Sequence, residues 1–301
     1  MTTATASRFL DPAVLARIDN LELLAKTVVD GFISGLHRSA YLGFSIDFAE
    51  HRAYMPGDDI RRIDWRVYGR TDRYYVKEFE ADTNANFSVL LDVSASMDYV
   101  GGGAVTKLDY ARYLAACLTY FSRRQRDRVG IVTFAQDIVD LVPPSAKHLD
   151  IVLHTLDRAR AGAAGRLETA LPKVAETLGR RSILVLISDC YEEPDAILHG
   201  VSLLRHRGHD VILFHVLDPA ELEFPFDAPT HFEDLESGDR IPVVPEELRD
   251  EYRALVRQHV ATLSQRLREQ RIDYVQLDTG RPLDRALFEY LSLRQRMNRV
   301  P

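Results

Sequence analysis

From residue 87 onward, short apolar stretches alternate with stretches of helical periodicity, and this alternation constrains the fold more than any other feature. The apolar stretches have the length and composition of buried strands, and they cover residues 87–91, 128–134, 138–142, 182–189, 210–217 and 272–277. Most of the stretches between them gather their apolar residues on one helical face, as residues 107–124 do. Strands and helices in alternation predict an α/β domain with a doubly wound, mostly parallel sheet.

The first 85 residues have a different texture. A helix is predicted over about residues 10–36, and residues 40–86 then form short segments rich in charges and aromatics, with a short hairpin expected around residues 74–79. We therefore expect two units: a small N-terminal α+β module over residues 1–85, and the α/β domain over residues 86–301.

Composition and charge exclude several classes of protein. Of the 301 residues, 46% are hydrophobic and 28% charged, as in ordinary globular proteins. The net charge of −7 offers no general attraction to nucleic acid. The apolar runs are far shorter than the roughly 20 residues that span a bilayer, and no apolar leader core follows the N-terminus. We therefore expect a cytoplasmic protein that neither binds nucleic acid nor inserts into membranes.

A carboxylate and two hydroxyls follow the first buried strand of the α/β domain. Asp92, Ser94 and Ser96 come directly after residues 87–91, and Asp189 ends the apolar stretch 182–189. Residues at the carboxyl ends of parallel strands converge on one crevice. Carboxylate and hydroxyl oxygens are hard ligands that suit Mg²⁺ (or Mn²⁺), so these four residues are a candidate metal site.

Two stretches of sequence carry a family resemblance. The first runs from Phe48-Ala49-Glu50-His51-Arg52-Ala53 into the string Tyr54-Met55-Pro56-Gly57-Asp58-Asp59-Ile60-Arg61-Arg62-Ile63-Asp64-Trp65. The second runs from Lys77-Glu78-Phe79-Glu80 into Leu91-Asp92-Val93-Ser94-Ala95-Ser96-Met97. Together they resemble the bacterial family of unknown function 58 (DUF58), in which an N-terminal module precedes a von Willebrand factor A-like, Rossmann-like domain. The second stretch is similar to the metal-ion-dependent adhesion site (MIDAS) of such domains. The resemblance implies an ion held by Asp92, Ser94, Ser96 and Asp189 whose vacant position accepts a carboxylate from a partner.

One position departs from that adhesion-site pattern. The pattern expects a threonine about five residues before an Ala-Leu pair, and Gly165 stands there, ahead of Ala170-Leu171. Thr169 is nearby, but we interpret it as the N-cap of a helix with Pro172 in its first turn. The alternative interpretation of the site is that Asp92 and the serines only satisfy backbone groups of a tight turn, in a metal-free structural scaffold.

The resemblance implies a function without catalysis. Family members resemble adaptors that act with MoxR-type AAA+ ATPases in the assembly or maturation of client proteins. We therefore expect a non-enzymatic adaptor whose partners are such an ATPase and a client protein. The alternative from another class is a metal-dependent phosphoester hydrolase that uses Asp92 and Asp189, with Asp98 as a third carboxylate.

The charged segment 51–80 is the second candidate surface. It holds seven Lys or Arg and six Asp or Glu, a near balance that favours internal ion pairs over a nucleic-acid patch. Arg61, Arg62, Asp64 and Trp65 could instead form a partner-binding surface, because Trp and Arg are common interface anchors. A core position for Trp65 is at least as well supported by the sequence.

Overall fold

The computed structural model describes residues 11–38, 50–54, 65–78, 85–162, 164–179 and 181–298 of the chain. The helices are α1 (Pro12–Leu15), α2 (Leu21–Arg38), α3 (Trp65–Thr71), α4 (Lys107–Arg124), α5 (Leu149–Arg158), α6 (Leu167–Thr177), α7 (Pro194–His206), α8 (Pro219–Glu223), α9 (Pro245–Glu269) and α10 (Asp284–Asn298). The strands are β1 (Glu50–Ala53), β2 (Tyr75–Glu78), β3 (Asn86–Asp92), β4 (Arg128–Phe134), β5 (Ile138–Ser145), β6 (Ser182–Ser188), β7 (Asp210–Leu217), β8 (Thr230–Glu233), β9 (Arg240–Val243) and β10 (Asp273–Asp278).

Six of these strands form the central sheet, in the order β10-β7-β6-β3-β4-β5. All neighbours run parallel except β5, which lies antiparallel to β4 at one edge. The strand order leads outward in both directions from the centre, which is the arrangement of a doubly wound sheet. The fold class predicted from the alternation is therefore confirmed.

The central pair, β3 and β6, brings two chain segments together at one edge of the sheet. Every residue of β6 is buried, and so is every residue of β3 after Asn86. In the parallel register Leu91 pairs with Ile187, which is the last pair before the loops begin. Because parallel strands leave the sheet on the same side, the residues after β3 and after β6 lie next to each other.

Helices cover both faces of the sheet. Side chains alternate along β3, so that Phe87, Val89 and Leu91 join the core beneath α2, α4, α5 and α10, and Leu90 joins the core beneath α6, α7 and the end of α9. Fully burying each large apolar side chain contributes about 1.5–3 kcal/mol. The two apolar layers therefore stabilise the sheet from both faces, and the loops lie at the carboxyl ends of its strands.

The N-terminal residues differ from the expectation in two ways. The helix expected over residues 10–36 is interrupted, with the four-residue α1 followed by the longer α2. The strand expected around residues 74–79 is present as β2, but its partner is β1, which precedes it by more than twenty residues. The expected local hairpin is therefore wrong, because the long-range pairing replaces it. The division into units at residue 85 stays a prediction.

Strand β5 is the edge of the sheet beside β4. Its apolar residues Val139 and Leu141 are exposed, and its second half contains Pro143 and Pro144. The register with β4 shifts twice along its length. These are features of an edge strand, since proline has no N–H to give to a ladder.

A second, two-stranded hairpin formed by β8 and β9 stands apart from the central sheet. The turn through Ser237-Gly238-Asp239 joins these strands, and Gly238 takes a left-handed φ of 76°. The long helix α9 follows the hairpin. None of the helices in the described ranges combines the length and the apolar character needed to cross a membrane.

Candidate functional site

The crevice lies at the carboxyl ends of the two central strands. Asp92 ends β3 and is buried beside Ser188, which ends β6. The Ser188 hydroxyl donates to Asp92 Oδ2 at 2.6 Å, and the Ser94 N–H donates to Asp92 Oδ1 at 2.9 Å. Both carboxylate oxygens therefore have a donor, which is the usual condition for a buried polar group.

Ser94 and Ser96 flank the start of a single 3₁₀ turn over Ala95–Asp98. The N–H of Met97 donates to the carbonyl of Ser94 at 3.1 Å and closes that turn. The two buried hydroxyl oxygens lie 3.1 Å apart, within hydrogen-bond distance of each other. The turn therefore gathers two hydroxyls beside one carboxylate, as the sequence pattern predicts.

The environment of Asp92 disfavours its charge. Burial and then the nearby Asp189 carboxylate raise the pKa of Asp92 to about 7, although the hydrogen bonds from Ser188 and Ser94 act in the opposite direction. A cation bound beside Asp92 would favour the charged form of this carboxylate.

Asp189 already has a cation of its own. Lys107, the first residue of α4, is completely buried, and its ammonium donates to Asp189 Oδ2 and to Glu221 Oε1, each at 2.7 Å. Burial alone would lower the pKa of Lys107, but these two carboxylates outweigh it and raise the pKa above its usual value. The ammonium also lies 4.4 Å from the centre of the Tyr191 ring, a cation–π distance.

Glu221 is positioned by a capping box at the start of α8. The Asp218 N–H donates to Glu221 Oε2 at 2.7 Å, while the Asp218 carboxylate caps the helix through the Ala220 N–H. The same Asp218 carboxylate accepts hydrogen bonds from the N–H groups of Gly102 and Gly103, at 2.7 and 3.1 Å. One buried acidic residue thus fixes both the glycine-rich loop before α4 and the helix that carries Glu221.

Gly165 lies directly against Ser94. A Cβ atom at Gly165 would come within 2.4 Å of Ser94 Cβ, so a threonine cannot stand there with this backbone. The expected threonine oxygen is therefore missing, and the Gly165 backbone lies close to Ser94 instead.

Helix α6 begins at Leu167, earlier than expected. The predicted N-cap role of Thr169 is therefore wrong, and Pro172 lies inside the helix. Instead, the Glu192 carboxylate accepts hydrogen bonds from the N–H groups of the first two residues of α6.

A carboxylate from the β8–β9 hairpin reaches into the same place. Glu236 Oε2 accepts a hydrogen bond from the Gly165 N–H at 2.6 Å, and Oε1 accepts one from the Ser96 N–H at 3.3 Å. The Ser96 amide comes from the loop after β3 and the Gly165 amide from the connection between α5 and α6. This pair of amides, here called the carboxylate seat, therefore forms only in the folded protein. No local pattern marks Glu236, because its partners lie 71 and 140 residues away along the chain.

These side chains surround a cavity of about 710 Å³. Its polar floor contains Asp92, Ser94, Ser96 and Asp189. Aromatic residues form much of the wall, namely Tyr99, Tyr191, Phe224, Phe226, Phe232 and Tyr252. This combination of a few polar groups and an apolar wall is typical of binding sites.

The remaining candidates from the sequence lie elsewhere. Asp98, the third carboxylate of the hydrolase alternative, is exposed on the 3₁₀ turn. Trp65 is 61% exposed and contacts Tyr68 edge-on, so a core position for it is wrong. Arg61, Arg62 and Asp64 lie outside the described residues.

Comparison with known proteins identifies the family. Residues 50–262 match the family described as "Protein of unknown function DUF58". The chain belongs to the DUF58 family. The family predicted from the two sequence stretches is therefore confirmed. This DUF58 protein is also 30% identical over 292 residues to the uncharacterized proteins Rv1480 of Mycobacterium tuberculosis and Mb1516 of Mycobacterium bovis, covering 95% of the chain and 91% of each relative.

Solved structures resemble part of the DUF58 chain. The conserved hypothetical protein BatB from Bacteroides thetaiotaomicron aligns with 70% of this chain and 99% of its own, at 16% identity and a TM-score of 0.47. A von Willebrand factor type A protein from Catenulispora acidiphila aligns with 60% of this chain and 43% of its own, at 15% identity and a TM-score of 0.32. Likeness at this level carries no information on function.

The donor set of this DUF58 protein fits a hard divalent ion in chemical type. Asp92, Ser94 and Ser96 would hold it through oxygen atoms, and Asp189 would share its carboxylate with Lys107. Within the described ranges no three Asp, Glu, His or Cys side chains form a metal cluster, so binding would depend on the serine hydroxyls.

The structure brings the four predicted site residues into one crevice and adds four that sequence reasoning missed: Lys107, Ser188, Glu221 and Glu236. Ser188 could have been found, since it precedes Asp189 at the strand end. The Asp-Pro-Ala-Glu string at Asp218–Glu221 also has the spacing of a capping box. Nothing local marks Lys107 as buried.

Proposed function

We propose that this DUF58 protein is a non-enzymatic adaptor whose crevice binds an acidic side chain of a protein partner. The observation that carries this proposal is that the crevice holds a carboxylate, that of Glu236, on the N–H groups of Ser96 and Gly165. Backbone amides that converge on one point form an anion-binding concavity, and hydrogen bonds to a charged acceptor are stronger than neutral ones. An Asp or Glu side chain of another protein offers the same group.

The chemistry of the crevice favours binding over the hydrolase alternative. A metal-dependent hydrolase needs carboxylates that hold the ion while it activates a water molecule. Of the three carboxylates that this alternative would use, Asp98 is exposed on the 3₁₀ turn and Asp189 is ion-paired with Lys107. Burial and the Asp189 charge also raise the pKa of the Cys190 thiol well above its ordinary value, so that thiol is not activated as a nucleophile.

The proposed ion is Mg²⁺ (or Mn²⁺), held by Asp92, Ser94 and Ser96 with a share of Asp189. When bound, it supplies positive charge for the carboxylate of the partner. It would also place a positive charge beside Asp92, whose pKa is raised by burial and by the Asp189 carboxylate. The metal-free scaffold is the alternative, and Lys107 supports it by neutralising part of the acidic charge.

The proposed partner is a MoxR-type AAA+ ATPase together with its client. This part of the proposal comes from the family resemblance alone. It can be tested by capturing the nucleotide-free ATPase of the same organism on the immobilised protein, in Mg²⁺ and in chelator. Asp92→Asn is the informative variant, because its amide keeps the shape and removes the charge.

We expect the wild-type protein to retain the ATPase in Mg²⁺, and Asp92→Asn to retain at least about tenfold less, equivalent to about 1.4 kcal/mol. The matched control is Asp98→Asn, which removes an exposed carboxylate six residues away and should bind as the wild type does. If all three proteins retain the ATPase equally, the crevice is not the binding site. If Asp92→Asn retains less ATPase but retention is the same in Mg²⁺ and in chelator, the ion has no part in binding and the adaptor role still stands.

A further inference from the structure

The turn that carries Glu236 is closed by its own hydrogen bonds. The Asp234 N–H donates to the Asp239 carbonyl at 2.8 Å, and the Gly238 N–H donates to the Asp234 carbonyl at 2.7 Å. The Asp234 carboxylate accepts from the Glu236 N–H at 2.8 Å and from the Ser237 hydroxyl at 3.1 Å. The turn is therefore a preformed unit that presents the Glu236 side chain in one direction.

The hairpin that carries this turn contacts the rest of the protein through aromatic side chains and through Glu236. β8 and β9 pair only with each other within the described residues, and they add no strand to the central sheet. In β8, two residues before the turn, Phe232 stacks on Phe224 with 5.5 Å between ring centres and meets Phe226 edge-on at 4.9 Å. At its tip, Glu236 is bound to the amides of Ser96 and Gly165.

The tip residue lies where a partner's carboxylate would have to lie. Glu236 takes both N–H groups of the carboxylate seat, and it does so beside Asp92 and the two serines that line the same cavity. One seat cannot hold two carboxylates, since each amide has one proton to donate. A second carboxylate can therefore enter only when Glu236 leaves.

From this geometry we infer that the β8–β9 hairpin is a lid whose Glu236 competes, within the chain, with the acidic side chain of a partner. The inference rests on the proposed function, and it adds how that site is regulated. Opening breaks the hydrogen bonds of Glu236 with the Ser96 and Gly165 amides and can leave the aromatic contacts of Phe232 in place. The apparent affinity for a partner is then reduced by the fraction of molecules whose lid is open.

The probe for the test is the peptide acetyl-Gly-Glu-Gly-amide, with acetyl-Gly-Gln-Gly-amide as the uncharged comparison. Binding is followed by NMR through the backbone amide signals of Ser96 and Gly165, which can report weak affinity. The variants are Glu236→Ala and the milder Glu236→Gln. The matched control is Glu246→Ala, which removes an exposed carboxylate from the first turn of α9.

We expect the acidic peptide to bind Glu236→Ala with a Kd at least about tenfold lower than that of the wild type, and Glu246→Ala to match the wild type. The neutral peptide should bind none of them. Hydrogen exchange at the Ser96 and Gly165 amides should be at least about tenfold faster in Glu236→Ala without peptide, because the contact that protects them is gone.

The lid and the proposed function fail in different ways. Equal peptide affinity in the wild type and Glu236→Ala would overturn the lid and leave the carboxylate site standing. Unchanged exchange at both amides would overturn the lid as well. If the acidic peptide binds neither protein, or binds no better than its glutamine counterpart, the carboxylate site itself is wrong and the lid falls with it.

Discussion

At the scale of single residues, Gly165 determines how closely two loops of the crevice can approach. The Gly165 backbone lies against the Ser94 side chain. A Cβ atom at residue 165 would come within 2.4 Å of Ser94 Cβ, so one of the two loops would have to move to admit it. The Gly165 N–H is also one of the two that hold Glu236. One glycine thus serves both the packing of the crevice and its carboxylate seat.

Gly165→Ala should therefore destabilise the protein by about 1–3 kcal/mol, the usual cost of inserting a methyl group where none fits. The measurement is the free energy of unfolding in denaturant. Gly162→Ala is the control, because a Cβ at Gly162 meets nothing within 4 Å and should leave stability nearly unchanged. Equal stability of both variants would show that the Ser94 loop can move away from residue 165 without cost.

Some residues of the crevice can be predicted from the sequence, and others cannot. Asp92, Ser94, Ser96 and Asp189 follow buried strands, so their meeting could be predicted from the local pattern. Lys107 could not, because a lysine at the start of an amphipathic helix is ordinarily solvated. Its burial depends on Asp189 and Glu221, which lie 82 and 114 residues further along the chain.

At the scale of elements, α6 shows a helix whose start is set by a distant residue. Its N-cap, Arg166, makes no capping hydrogen bond through its side chain. The N–H groups of Leu167 and Glu168 donate to Glu192, from the loop after β6. A carboxylate at a helix N-terminus is also favoured by the helix dipole. The sequence pattern predicts Thr169 as the N-cap instead, because a capping residue from another segment leaves no local signal.

Glu192→Ala should lower the free energy of unfolding by about 1 kcal/mol, the typical cost of losing an N-cap. Thr169→Ala is the comparison, since the Thr169 hydroxyl donates only to carbonyls, those of Arg166 and Gln136. It should cost less than half as much. The measurement is the free energy of unfolding of the two variants in denaturant. A larger loss of this free energy in Thr169→Ala than in Glu192→Ala would contradict the capping role of Glu192.

At the scale of the whole molecule, the fold class followed from the alternation of strands and helices, but the strand order did not. That order depends on pairings between distant segments, and the alternation is the same for many orders. The relation of the N-terminal residues to the α/β domain was equally hidden. Helix α2 buries Leu24 and Val28 in the same apolar layer as α4 and α10.

If α2 is part of that core, Leu24→Ala should destabilise the whole protein by about 2–5 kcal/mol, as expected for a buried leucine. Unfolding should remain a single transition shifted to lower denaturant. The neighbouring Leu23 is 56% exposed, so Leu23→Ala is a matched control with little expected effect. An early separate transition in Leu24→Ala would instead make α2 part of an independent N-terminal unit.

The edge strand β5 has a consequence for how these molecules behave at high concentration. Val139 and Leu141 leave an apolar, exposed start to this edge, which by itself invites a strand from a second molecule. Pro143 and Pro144 interrupt such pairing, because neither has an N–H to donate to an added strand. The two prolines therefore limit how far a strand from a second molecule could pair along this edge.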